Sequence, residues 1–304
     1  MIRITNTGLD FWLYLVAFSA LCLCLLNPRY SMKQDTFRYI FALDITQSMN
    51  TKDYHLPDLP SDRLSFSKRA MRSAIQQLPC GSETGVALFT TKNVMLLFEP
   101  LEVCSHFSVI DSVISQIDWR MSWAADSNIE RGLYSAILAL KQQNKVTHLV
   151  FLSDGEQNIK ELHRPPLAEH FGAVKGFVIG VGGTHPAPIP KLDTQNNLIG
   201  YWTNSEVEIF PLSGAIDSSV GGTAKDVTAK NKYLSTVREQ DLRFLARSSG
   251  LRYKRLENPD QFTKLLQTTD LAEQRTVKRD VRWIFALLAL VLIGYVNLRH
   301  IFWQ

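Results

Sequence analysis

The feature that most constrains this chain is an apolar run, Tyr39-Ile40-Phe41-Ala42-Leu43, that ends on a carboxylate, Asp44. An uninterrupted aromatic and branched run of this length suits a strand buried on both faces at the centre of a parallel sheet. Sheets of that kind hold ligands beyond the carboxyl ends of their strands. Asp44 is followed by Ile45-Thr46-Gln47-Ser48, so a carboxylate and two hydroxyls fall within one short turn at that end. Hard oxygen donors at this density suit Mg2+ or another divalent cation such as Ca2+ or Mn2+.

The chain beyond the turn alternates strand and helix patterns. A helix is expected from about Asp62 to Leu78, with Asp62 as its cap and Leu64, Ala70, Ala74, Ile75 and Leu78 on its apolar face. Residues 85–89 and 94–98 read as strands of a hairpin around Thr90-Thr91-Lys92-Asn93. Residues 107–117 and 129–140 read as amphipathic helices. Further strands are expected at 146–152, ending on Ser153-Asp154-Gly155-Glu156, and at 174–181. Helices at 234–249 and 259–267 flank a short strand at 251–254. This alternation predicts an α/β fold: a doubly wound, mostly parallel sheet with helices on both faces.

The apolar residues concentrate at the two ends. Residues 11–26 carry no charge, and residues 281–298 carry only Arg282 and Asn297 as strongly polar groups. Both are long enough to be read as transmembrane helices, with Trp12, Tyr14, Trp283 and Trp303 near the interfaces. The division expected is a tail at 1–10, a span at 11–26, a linker at 27–36, a domain at 37–270, a linker helix at 271–280, a span at 281–298 and a tail at 299–304. A cleaved signal peptide is the alternative for the first span, but no small-x-small cleavage site follows it. Lys and Arg near the span ends are Arg29, Lys33, Arg38, Arg275, Lys278, Arg279 and Arg282 beside the domain, against Arg3 and Arg299 on the tails. By the positive-inside rule that count favours a cytoplasmic domain. A net charge of +4, without clustered basic residues or stacking aromatics, argues against nucleic acid as a partner.

Of the four cysteines, Cys22 and Cys24 lie within the first span as apolar fillers. Cys80 and Cys104 lie at equal distances from the midpoint of the expected hairpin, close enough to bridge. Such a disulfide implies an oxidising compartment; the alternative is a pair of reduced thiols.

Asp44-Ile-Thr46-Gln-Ser48 resembles the Asp-x-Ser-x-Ser motif that opens the metal-dependent adhesion site of von Willebrand factor A domains. Ser127, in Asp126-Ser127-Asn128 at the start of a helix, matches the family's Thr motif with a hydroxyl exchange. Asp154 matches its strand-then-Asp-Gly motif. The resemblance implies a metal held by Asp44, Thr46, Ser48, Ser127 and Asp154, with a coordination place open to a carboxylate from a protein partner. Turn residues bonding their own backbone are the plain alternative for each motif taken singly.

Enzymatic activity is not expected. A strand ending in Asp resembles the haloacid-dehalogenase phosphatases, but the general acid they need two residues later is replaced here by Thr46. No His-Glu-x-x-His, Gly-x-Ser-x-Gly or Gly-x-x-x-x-Gly-Lys occurs, and His148 and His163 read as structural or solvated.

Pro186-Ala-Pro-Ile-Pro190 with Gly200-Tyr-Trp202 resembles the membrane-anchored Bat (aerotolerance) A-domain proteins of bacteria. Thr46 to Asn50, Leu78 to Ser82 and Trp119 to Trp123 resemble the MxaL group, accessory to periplasmic methanol dehydrogenase. These resemblances imply an inner-membrane protein with a periplasmic domain, working with other A-domain proteins and a MoxR-type AAA+ ATPase. A membrane scaffold with a vestigial metal site is the alternative.

Overall fold

The computed structural model describes residues 7–122, 127–157, 165–203 and 233–302. It divides into two units: residues 36–273, and a second unit made of residues 1–35 with 274–304. In chain order the first elements are α1 (Thr7–Leu25), β1 (Arg29–Thr36), β2 (Arg38–Asp44) and α2 (Arg63–Gln77). The hairpin β3 (Glu83–Thr90) and β4 (Asn93–Glu102) leads into α3 (Val103–Gln116). Then come α4 (Ile129–Lys141), β5 (His148–Ser153), β6 (Gly176–Gly180), β7 (Ala187–Pro188), β8 (Pro190–Leu192) and β9 (Leu198–Tyr201). The chain closes with β10 (Leu234–Ser235), α5 (Glu239–Ser249), β11 (Arg252–Arg255), α6 (Pro259–Leu266), β12 (Glu273–Asp280) and α7 (Arg282–Phe302).

Six strands form the central sheet in the order β11-β6-β5-β2-β3-β4, parallel except where β4 turns back on β3. All seven residues of β2 are buried. Tyr39, Phe41 and Leu43 pack on one face with α2, α3 and Phe262 of α6, whereas Ile40 and Ala42 pack on the other with α4 and α5. The continuous apolar run of β2 is therefore a consequence of cover on both faces, and the architecture is the doubly wound, mostly parallel one expected. Each fully buried aromatic of this kind stabilises the fold by about 2–3 kcal/mol. Asp62 caps α2 as expected, its carboxylate accepting from Ser65 N at 2.8 Å.

Cys80 and Cys104 form a disulfide, with Cα atoms 5.3 Å apart. The pairing of β3 with β4 runs from Thr90–Asn93 back to Glu83–Glu102, so the cysteines lie just beyond the last rung.

Three expectations need correction. Residues 271–280, read as a linker helix, form a 3-10 turn at Thr269–Leu271 and then the strand β12. The linker 27–36 supplies its partner, β1, and the two make a separate two-stranded sheet. The charge-rich Glu273 to Asp280 has no apolar face to bury as a helix, and its strand partner lies about 240 residues away, where local pattern cannot reveal it. Second, the helix expected from 234 begins only at Glu239, because residues 234–238 are drawn out by long-range bonds. Ile189 N donates to Tyr233 O, Val237 N to Gly183 O and Arg238 N to Asp154 O. Third, α3 starts at Val103, four residues early, because the Glu102 side chain caps it by accepting from Ser105 N.

In the other unit, α1 and α7 are each long and apolar enough to cross a membrane, about 28 and 31 Å at the helical rise. They pair antiparallel: Ala17, Ala20 and Ala289 are buried between them, Asp10 meets Arg299 at one end, and Cys24 donates to Arg282 O at the other. Small residues at such a seam let helix backbones approach closely.

Candidate metal centre

The site is built on the carboxyl ends of β2, β3 and β5. Asp44 closes β2 and is wholly buried. Its Oδ1 accepts from Thr46 N at 2.9 Å and from Thr46 Oγ1 at 2.7 Å, so the chain folds back into a turn. The 3-10 turn Gln47–Asn50 then brings Ser48 Oγ to 3.3 Å from Thr46 Oγ1. The other oxygen, Oδ2, accepts from Ser153 Oγ at 2.6 Å, which joins the tips of β2 and β5. Asp44, Thr46 and Ser48 are thus brought together, all three buried.

Asp154, one residue beyond Ser153, is also wholly buried. Its Oδ1 accepts from Glu156 N at 2.9 Å and its Oδ2 from Arg63 Nη1 at 2.8 Å. Ser127 lies at the same end of the sheet, bridged in parallel to Thr91 just beyond β3, with Asn128 N donating to Thr91 O at 2.7 Å. Phe89 O, two residues before Thr91, accepts from Ile45 N, which ties this corner to the Asp44 turn. Ser127 Oγ is buried and makes no hydrogen bond with any described residue. Asn128 caps α4, whose Gly132 sits directly on the ring of Phe89, where any Cβ would overlap it. His148 is buried in β5 against Tyr39, away from this corner; His163, Trp123 and Asp126 lie outside the described residues.

The electrostatics are those of buried carboxylates short of counter-charge. Burial, followed by the nearby charge of Asp154, pushes Asp44 up to about 7 despite the hydrogen bonds from Ser153 and Thr46. Among the described residues no cationic side chain pairs with Asp44. Glu156 is raised for the same two reasons, burial and Asp154, although Ser235 and Arg238 bond it. A buried anion without a cation is costly, and the orphaned buried hydroxyl of Ser127, at the same end of the sheet, is a further vacant donor atom. Hard oxygens with an uncompensated carboxylate have the chemistry of a divalent-cation site.

Residues 39–157 match the family model for the von Willebrand factor type A domain. The larger unit contains a von Willebrand factor A domain. Two solved structures share the fold of this A domain. One is an aerotolerance-related membrane protein from Bacteroides fragilis, the other the conserved hypothetical protein BatB from Bacteroides thetaiotaomicron. Each is 17% identical, covers 76% of this chain and 98% of its own, and superposes with a TM-score of 0.51. No curated protein matches the chain in sequence.

Sequence reasoning missed the A domain's supporting shell. Arg63 sits wholly buried beneath the turn and bonds Asp53, Asp154, Ser235 and the carbonyl of Ser48. Ser153, adjacent to Asp154, was legible as a nearby hydroxyl. Arg63, following a helix cap, carried no signal of burial, since arginines at helix starts are ordinarily solvated.

Proposed function

We propose that the A domain binds a partner protein through a divalent cation, Mg2+ or a similar ion, and carries out no catalysis. The observation that carries this reading is the buried Asp44 carboxylate, ringed by hydroxyls and lacking a cationic partner among the described residues. Asp44, Thr46 and Ser48 would hold the ion directly, Ser127 directly or through water, and Asp154 through water. A bound cation would supply an electrophilic place for an incoming carboxylate, because the hydroxyl ligands are neutral. Thr46, at the position where a phosphatase needs an acid, instead donates to Asp44, which supports binding rather than turnover.

The wider setting follows the resemblances: an inner-membrane protein whose A domain faces the periplasm and assists maturation of a periplasmic enzyme or envelope complex, in the manner of the MxaL and Bat groups. A MoxR-type ATPase and other A-domain proteins would be its partners. The Cys80–Cys104 bridge supports the oxidising side of the membrane against the positive-inside count. Labelling of these two thiols by an impermeant reagent in intact spheroplasts, after mild reduction, is the expected outcome; labelling only after lysis would place the domain in the cytoplasm.

Titration of the full chain in detergent with Mg2+ and with Mn2+, by calorimetry and thermal melting, tests the metal. Heat and a raised Tm are expected, and both should vanish in Asp44→Ala. No heat and no shift in the unsubstituted chain would leave a membrane scaffold with a vestigial site, a reading that the engagement of Asp154 by Arg63 favours.

A further inference from the structure

We infer that Arg63 is a positioning residue that sets the charge balance of the metal site by engaging Asp154 as an ion-pair partner, so that Asp44 is the one carboxylate of the site left without a cationic partner among the described residues. The inference rests on the metal reading above. Arg63 is the largest fully buried side chain among the described residues. Its Nη1 donates to Asp154 Oδ2 at 2.8 Å, to Ser235 Oγ at 2.7 Å and to Ser48 O at 3.4 Å. Nε and Nη2 reach Asp53 Oδ2 at 2.9 and 2.6 Å, and Nη2 also donates to Ser235 O at 3.2 Å. One guanidinium therefore bonds the Asp44 turn through Ser48, the β5 tip through Asp154, and β10 through Ser235.

The niche is shaped for this group. Gly182, at φ +116°, passes so close that a Cβ there would stand 2.5 Å from Nε and 2.8 Å from Cζ. Gly183 N completes the Asp53 corner by donating to Asp53 Oδ2 at 2.7 Å. Planar, multiply bonded geometry of this kind suits arginine and not lysine.

The consequence is electrostatic. Asp154 has one oxygen on Glu156 N and the other on Arg63, whereas Asp44 receives only neutral donors. A divalent ion at the tip of β2 would meet in Asp44 a carboxylate with no cationic partner of its own among the described residues, while Asp154 is engaged by Arg63, and an anionic ligand from outside is the group that would complete its neutralisation. Arg63 thereby weakens the resting grip on the metal and makes the open place selective for carboxylate.

Mn2+ binding to the full chain in detergent, followed by electron paramagnetic resonance, separates this from a merely structural role. Arg63→Met should tighten Mn2+ about tenfold or more and weaken acetate binding to the loaded site, because Asp154 is released to the ion. Arg63→Lys, which keeps the charge, should stay within about threefold of the unsubstituted affinity. A role in packing alone can only loosen Mn2+, so equal or weaker binding by a folded Arg63→Met chain overturns the inference. If Arg63→Met does not fold, Asp53→Asn decides: with its second counter-ion gone, Arg63 should repel Mn2+ and weaken binding at least about threefold. Unchanged or tighter binding there overturns it. An unsubstituted chain that takes up no Mn2+ defeats the metal reading and this inference together, whereas metal uptake indifferent to both substitutions defeats only the role of Arg63.

Discussion

Ser153 Oγ donates to Asp44 Oδ2 at 2.6 Å, and through this one bond the tips of the two innermost parallel strands share a buried carboxylate. Neighbouring strand ends are what an α/β sheet offers a ligand, and this contact makes the corner a single unit.

The charge state of Asp44 gives the corner a pH dependence. With its value pushed up to about 7, against an ordinary value near 4, the native carboxyl holds its proton where the unfolded one has lost it. The resulting stability is fully present below about pH 4 and is lost as pH rises to about 7. Melting in EDTA should therefore show Tm falling across that window, and Asp44→Asn should flatten the fall. A slope unaltered by Asp44→Asn would assign the effect elsewhere. Added Mg2+ should matter most above about pH 7, where the proton no longer competes.

Removing the bridge by Cys80→Ser with Cys104→Ser should cost about 3 kcal/mol, from the loop entropy released in the unfolded chain. Urea unfolding of the oxidised and doubly substituted chains measures this. A difference under about 1 kcal/mol would mean that the hairpin alone closes the loop.

Gly132→Ala should destabilise by about 1–3 kcal/mol, since the new methyl meets the Phe89 ring and α4 must shift. Phe89→Leu should recover part of that loss in the double variant although it is itself destabilising. Strict additivity of the two would show that Gly132 is constrained by something other than the ring.

Tyr39→Phe should cost about 1–2 kcal/mol, because the buried hydroxyl donates to Leu266 O at 2.6 Å and nothing apolar can replace that bond. Denaturant midpoints of the two chains decide it; equal midpoints would mean that water reaches Leu266 O.

Much of this was legible in local pattern. The alternation of strand and helix, the cap at Asp62, the hairpin and its flanking cysteines, and the hydroxyl turn after Asp44 each depend on residues close in sequence. The β1–β12 ribbon and the extended stretch 234–238 were not legible, because both owe their form to bonds with partners far along the chain.

The sequence by itself determined which strand is central, where its carboxylate stands and which hydroxyls follow it, since burial on two faces demands an unbroken apolar run. Only the tertiary structure decided that Asp154 faces Arg63. The pairing of a buried guanidinium with Asp53 and Asp154 depends on three separate segments meeting in a space that Gly182 leaves open, and no spacing along the chain encodes it.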